Sequence, residues 1–197
     1  SQAALRPSAV GVDRIRSEFE RAMALEPANA NVLVMASQGY LELGRRAEAS
    51  LKGAVDLVTP FDLGAQEILV DRLSAAFPTH GFLAEEGFAR PGSSDYRWII
   101  DPLDGTTNYA HSFPVFSVSA ALERAGRVVL GFVYDPMREE MFMASAGRGA
   151  FLNGAAIRVS GVADLGASLL ATGFPYDLRT SPVNNLAHWG RFIVRAQ

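Results

Sequence analysis

The chain has 197 residues, 49% of them hydrophobic and 20% charged, with a formal net charge of −3. That length fits one domain, or one domain with a small appendage, and leaves ample apolar material for a core. The slight acidic excess excludes a protein built to neutralise a run of nucleic-acid phosphates, and the absence of cysteine excludes disulfides, thiol chemistry and zinc–thiolate sites.

No apolar run approaches the roughly 20 residues that span a bilayer. No charged segment followed by an apolar stretch of the signal-peptide kind is visible either. A soluble cytoplasmic protein, with neither a membrane nor a nucleic-acid partner, is expected.

Residues 1–50 read as a helical segment. Phe19, Ala22, Met23 and Leu25 have helical spacing, and the pattern stops at Pro27. A second pattern, Val32, Leu33, Met35, Ala36, Tyr40 and Leu41, ends at Gly44, a C-cap or turn residue. This spacing resembles a tetratricopeptide repeat, with Phe19, Ala22 and Pro27 closing one unit and Leu33, Tyr40, Gly44 and Ala49 opening the next. An ordinary helical hairpin fits the same residues. A protein partner docked on this helical N-terminus is one expectation.

From residue 51 onward the pattern changes. Val55–Thr59 reads as a strand broken by Pro60, and Asp62 opens a helix whose apolar face is Leu63, Ile68, Leu69 and Leu73. Gly81–Ala84 is a short strand ending in Glu85-Glu86. Residues 89–95 read as a loop, and Tyr96–Ile100 as a central strand. Phe116–Leu122 and Val128–Tyr134 form a hairpin about Ala125-Gly126. Glu140–Ala144 follows, then a glycine-rich turn at 147–149 and the strand–turn pair Phe151–Gly154. Leu169–Thr172 reads as the last strand and about Asn185–Arg195 as the last helix. Helices mixed with hairpin strands imply a layered α/β or α+β protein.

The stretch Trp98–Asn108 carries the chemistry. A hydrophobic run ends in Asp101 and Asp104, three residues apart, and Gly105-Thr106-Thr107 follows at once. Carboxylates held at a sheet edge suit a hard cation. The glycine and hydroxyls offer backbone N–H groups and small polar side chains to a phosphate. A plain Asp-Gly turn after a strand is the simpler reading, but the complete block, with Glu85 and Glu86 upstream, favours a metal–phosphate site. Glu86 reads equally as a group behind the ligands or as a solvated side chain. His80, His111 and His188 lack metal-ligand spacing and read as structural or surface residues.

Residues 51–197 resemble the inositol monophosphatase family. The resemblance rests on Asp56-Leu57-Val58-Thr59 with Asp62, Ala84-Glu85-Glu86-Gly87, the block at 98–109, Phe113-Pro114, Gly131–Pro136, Ala150–Gly154 and Ala171–Pro175, all in family order. It implies a layered α/β (α+β) sandwich of the inositol monophosphatase/fructose-bisphosphatase type, and Mg²⁺-dependent hydrolysis of a small phosphate monoester, by default inositol 1-phosphate. By this resemblance Glu85, Asp101 and the Leu103 carbonyl hold one metal, and Asp101 and Asp104 reach a second. Gly105 and Thr106 amides receive phosphate. Glu85, with Thr106 backed by Asp62, activates water. Family members are commonly homodimers, so a homodimer is expected on the same ground.

Two departures from the family follow. Its later Gly-Ser-Ala and Trp-Asp-x-Ala-Ala-Gly motifs are absent, so the sequence reads as truncated at the C-terminus, without one aspartate of the second metal and without the residues that recognise inositol. The opening helices are altered or replaced, although residues 32–51 could still form the family's first helix. The alternative function is a catalytically impaired fragment that acts as a metal- or phosphate-binding or protein-interaction module.

Overall fold

The computed structural model describes residues 50–51, 57–58, 60–175 and 177–196. The segment read as repeat-like, residues 1–49, lies outside them, as does most of the strand expected at 55–59. The chain divides into two compact units, one containing Leu57–Ile157 and the other Arg158–Gln197.

The first unit is a sheet with one long helix. After the two-residue strands β1 (Ser50–Leu51), whose Leu51 is counted with the second unit, and β2 (Leu57–Val58) comes helix α1 (Pro60–Ala76). Then follow β3 (Gly81–Ala84), β4 (Ala89–Arg90), β5 (Tyr96–Asp104), the short helix α2 (Thr106–Ala110), β6 (Ser117–Arg124), β7 (Arg127–Asp135), β8 (Glu140–Ser145), β9 (Gly149–Leu152) and β10 (Ala155–Ile157). Eight strands form one sheet in the order β10-β9-β8-β7-β6-β5-β3-β4. From β5 to β10 it is an antiparallel meander, whereas β3 runs parallel to β5. That parallel pairing makes β3 and β5 finish side by side, Ala84 opposite Ile100. Glu85 and Asp101 are the next residues of the two strands.

Helix α1 begins two residues before Asp62, because Pro60 suits the first turn, where its missing N–H is not needed. Its buried stripe is Phe61, Ala65, Leu69 and Leu73, in steps of four. Leu63, expected on that face, is 53% exposed, since a two-residue step turns a helical side chain to the far side. Leu69, Val70 and Leu73 pack with Phe82, Trp98, Ile100, Val118, Ala120, Leu122, Phe132 and Tyr134 in the main core. A second, smaller cluster joins Phe61, Ala65 and Leu103, with Tyr109 and Phe116 against it.

Two further sequence expectations are corrected in this unit. The loop expected at 89–95 begins with the two-residue strand β4, which pairs with β3. The central strand does not stop at Ile100 but continues through Pro102 to Asp104. Proline has no N–H for the ladder. The pairing with β6 accordingly shifts: Asp101 faces Ser119 and Asp104 faces Ser117, three steps on β5 against two on β6. This is a β-bulge.

In the second unit a 3₁₀ turn, Leu165–Ala167, precedes helix α3 (Leu186–Ile193), which lies within the expected final helix. Leu169–Thr172, expected to be a strand, is not one. Leu169 is 88% exposed, and no strand lies beside the segment among the described residues. A strand exists only with a partner for its N–H and C=O groups.

Candidate active site

The side chains that the sequence marks as site candidates gather where β3, β5, α1 and α2 meet. Glu85 stands just past β3, and its N–H donates to the Ile100 carbonyl at 3.0 Å, which fixes the turn against β5. The Glu86 N–H donates to Gln66 Oε1 at 3.1 Å. Helix α1 therefore holds this turn with Gln66, one helical turn beyond Asp62.

Asp101 carries the clearest electrostatic signature of the region. Its carboxyl is pushed up to about 8, first by burial, then by the hydrogen bond and negative charge of Glu85, and by the charge of Asp104. A hydrogen bond from the Leu103 N–H, 3.1 Å to Asp101 Oδ1, pulls in the opposite direction. Carboxylates forced together share a proton when no cation separates them. The bulge at Pro102 explains why Asp104 is near. In a regular strand residues three apart point to opposite faces, and one extra residue cancels that inversion.

Thr106 opens α2. Its Oγ1 lies 3.0 Å from Asp62 Oδ1 and 3.0 Å from the Leu103 carbonyl oxygen. Asp62 is 1% exposed. Burying a carboxylate this deeply is costly without a donor, and the Thr106 hydroxyl supplies one. The aromatic packing of Tyr109 on Phe61, 4.8 Å between ring centroids, and on Phe116, 5.2 Å, locks α2 over the first turn of α1. The charge of Asp62, after burial, raises the Tyr109 phenol.

Gly105 precedes α2 with φ 95°, in the region glycine enters without steric cost. A Cβ there would meet the Val115 carbonyl oxygen at 3.1 Å and Phe116 at 3.3 Å. Ser117 Oγ lies 3.4 Å from Asp104 Oδ2.

Glu85, Asp101 and the Leu103 carbonyl could together hold a hard cation. All are oxygen donors, and positive charge would relieve the crowding of the two carboxyls. Among the described residues no group of three or more His, Asp or Glu side chains could hold a metal ion by itself. A cation here would therefore draw on backbone or water oxygens too. His80, by contrast, stacks between Phe77 and Tyr96 at 4.9 and 5.0 Å, and burial lowers its pKa. It is a structural residue, as its spacing suggested.

The sequence profile of the inositol monophosphatase family matches residues 21–192. The chain belongs to the inositol monophosphatase family. The match reaches back over most of the segment likened to a tetratricopeptide repeat, and so favours that stretch as part of the inositol monophosphatase sequence. Among relatives, Nus factor SuhB of Pseudomonas aeruginosa is 48% identical over 141 residues, covering 70% of this chain and 51% of that protein. Inositol-1-monophosphatase of Mesorhizobium japonicum is 43% identical over 148 residues, covering 75% and 53%. The chain thus spans about half the length of the curated relatives it matches. The crystal structure of extragenic suppressor protein suhB from Bartonella henselae superposes with a TM-score of 0.75 at 36% identity, over 85% of this chain and 67% of that one. The mixed α/β architecture built on one large sheet is that of inositol monophosphatase structures, as expected from the sequence.

Asn108 and Tyr109 lie inside the block at 98–109 but have no individual role in the sequence reading, and Gln66 lies outside every motif. Tyr109 lies one turn beyond Thr106, a helical spacing that becomes visible only once α2 is seen to exist. Nothing in the sequence marked Gln66.

Proposed function

We propose that this chain carries the metal and phosphate site of a Mg²⁺-dependent hydrolase of small phosphate monoesters, with inositol 1-phosphate as the default substrate. One observation carries the reading. Asp62, Thr106, Leu103, Asp101 and Glu85 form a continuous series of polar neighbours, from a buried carboxylate on α1 to two crowded carboxyls at the strand ends, with the Thr106 hydroxyl 3.0 Å from both Asp62 Oδ1 and the Leu103 carbonyl oxygen.

In this reading Glu85, Asp101 and the Leu103 carbonyl would hold one metal, and Asp101 and Asp104 would reach a second. When bound, Mg²⁺ neutralises the phosphate dianion, stabilises the leaving oxygen and lowers the pKa of water. The amides of Gly105 and Thr106 receive the phosphate. The Thr106 hydroxyl has one proton. Donated to Asp62, that proton leaves a lone pair on Thr106 Oγ1 to accept from the attacking water and orient it. Glu85 is the adjacent carboxylate that takes the water's proton. Monoester hydrolysis is among the slowest uncatalysed reactions in biology, so charge neutralisation and positioning carry the acceleration.

A second reading, a non-catalytic interaction role, is favoured by the 48% identity to a protein named as a Nus factor. Mg²⁺-dependent phosphate release from inositol 1-phosphate decides between them, with Asp104→Asn as control. Release that the control abolishes supports the hydrolase. No release from a folded chain supports the interaction role.

A further inference from the structure

Helix α2 and strand β6 are joined by residues 111–116, and the Asn108 side chain reaches across that return. Asn108 Nδ2 donates to the Val115 carbonyl at 2.8 Å. The carbonyl of Asn108 accepts the Phe113 N–H at 2.8 Å, and the Val115 N–H donates to the Phe113 carbonyl at 2.8 Å. Phe116 packs on Tyr109 at the end of this segment, but burial does not hold the residues before it, where Phe113 is 57% and Val115 37% exposed. Yet it lies directly against Gly105: the Val115 carbonyl oxygen and Phe116 are the atoms that a Cβ on Gly105 would strike. The oxygen that Asn108 holds is the one that backs the glycine.

We propose that Asn108 is a positioning residue for phosphate. By pinning the Val115 carbonyl it fixes the Gly105–Thr106 backbone, so that both amides point at one anion. The inference rests on the phosphatase reading, which puts phosphate on those amides. Asn108 acts through Val115 and touches neither the phosphate nor the carboxyl pair. Losing its donor frees the return segment and loosens the cradle, while Glu85 and Asp101, held by the strand ends, keep their affinity for a cation.

Asn108→Asp preserves shape but sets an acceptor against the Val115 carbonyl. Asn108→His restores an N–H at the same number of bonds from Cβ. The full chain is titrated calorimetrically with Mg²⁺ alone, then with inorganic phosphate at saturating Mg²⁺. We expect Asn108→Asp to weaken phosphate binding about tenfold, the scale of one lost hydrogen bond with its carbonyl left unpaired. Asn108→His should recover most of that loss, and neither variant should change the Mg²⁺ affinity. Unchanged phosphate affinity in Asn108→Asp, or an equal loss of Mg²⁺ and phosphate binding, overturns the positioning role alone. A wild-type chain that binds no phosphate with Mg²⁺ overturns the phosphatase reading and this one with it. Should Asn108→Asp fail to fold, Asn108→Ala removes the donor without adding charge and is read in the same way.

Discussion

The Thr106 hydroxyl lies 3.0 Å from Asp62 Oδ1, across a sequence separation of 44 residues. This contact ties the first turn of α1 to the first turn of α2, and it gives a deeply buried carboxylate its donor. Thr106→Ala and Asp62→Asn test its role. Under the proposed mechanism each lowers kcat by about 10²-fold or more, the usual contribution of a positioned proton-transfer group, and leaves KM nearly unchanged. Asp62→Asn keeps shape and hydrogen-bonding capacity, so its circular dichroism should match wild type. A loss of folding in Asp62→Asn would instead mark the contact as structural.

The crowding of Glu85 and Asp101 predicts a pH-dependent metal affinity. With the Asp101 carboxyl raised to about 8, Mg²⁺ must displace a proton below that pH. Affinity should rise from pH 6 to pH 8 and level off above. Calorimetry in buffers of different ionisation enthalpy should show proton release at pH 7 and little at pH 9. A pH-independent affinity would contradict the shared proton.

The same group contributes to the pH dependence of stability in the absence of metal. Its folded pKa lies above the ordinary carboxyl value of 3.8, so the folded chain binds the extra proton between those values. Its contribution is present below about 4 and lost as pH rises through about 8. Denaturant midpoints of the metal-free chain should fall across that window, and saturating Mg²⁺ or Asp101→Asn should flatten the slope.

Gly105→Ala places a methyl group at φ 95° and 3.1 Å from the Val115 carbonyl oxygen. We expect a loss of about 1–3 kcal/mol from the backbone conformation alone, with phosphate binding abolished. Urea unfolding and phosphate titration check the two effects separately.

Leu73→Ala tests the core rather than the site. Leu73 is 0% exposed and packs in the main cluster with Phe82 and Trp98. Truncation should cost about 2–5 kcal/mol. The metal affinity of the folded fraction should stay near wild type, because the carboxyls are held by strand ends and not by this side chain.

The sequence by itself determined the hairpin strands and the presence of α1, and it placed most oxygen donors of the proposed site in one block at 98–108. Alternation of apolar and polar residues marks a half-buried strand whatever its neighbours. Apolar residues that end in two aspartates and Gly-Thr-Thr carry their meaning locally. Tertiary structure decided the rest. Asp101 and Asp104 come near each other because a bulge at Pro102 corrects their odd spacing. Glu85 meets Asp101 because β3 and β5 are parallel neighbours, which no local pattern encodes. Leu63 faces solvent while Phe61 is buried, because the packing of α1 on the sheet chose one apolar stripe over another. Leu169–Thr172 has the residues of a strand but no strand beside it among the described residues, and backbone hydrogen bonding requires a partner that sequence periodicity cannot supply.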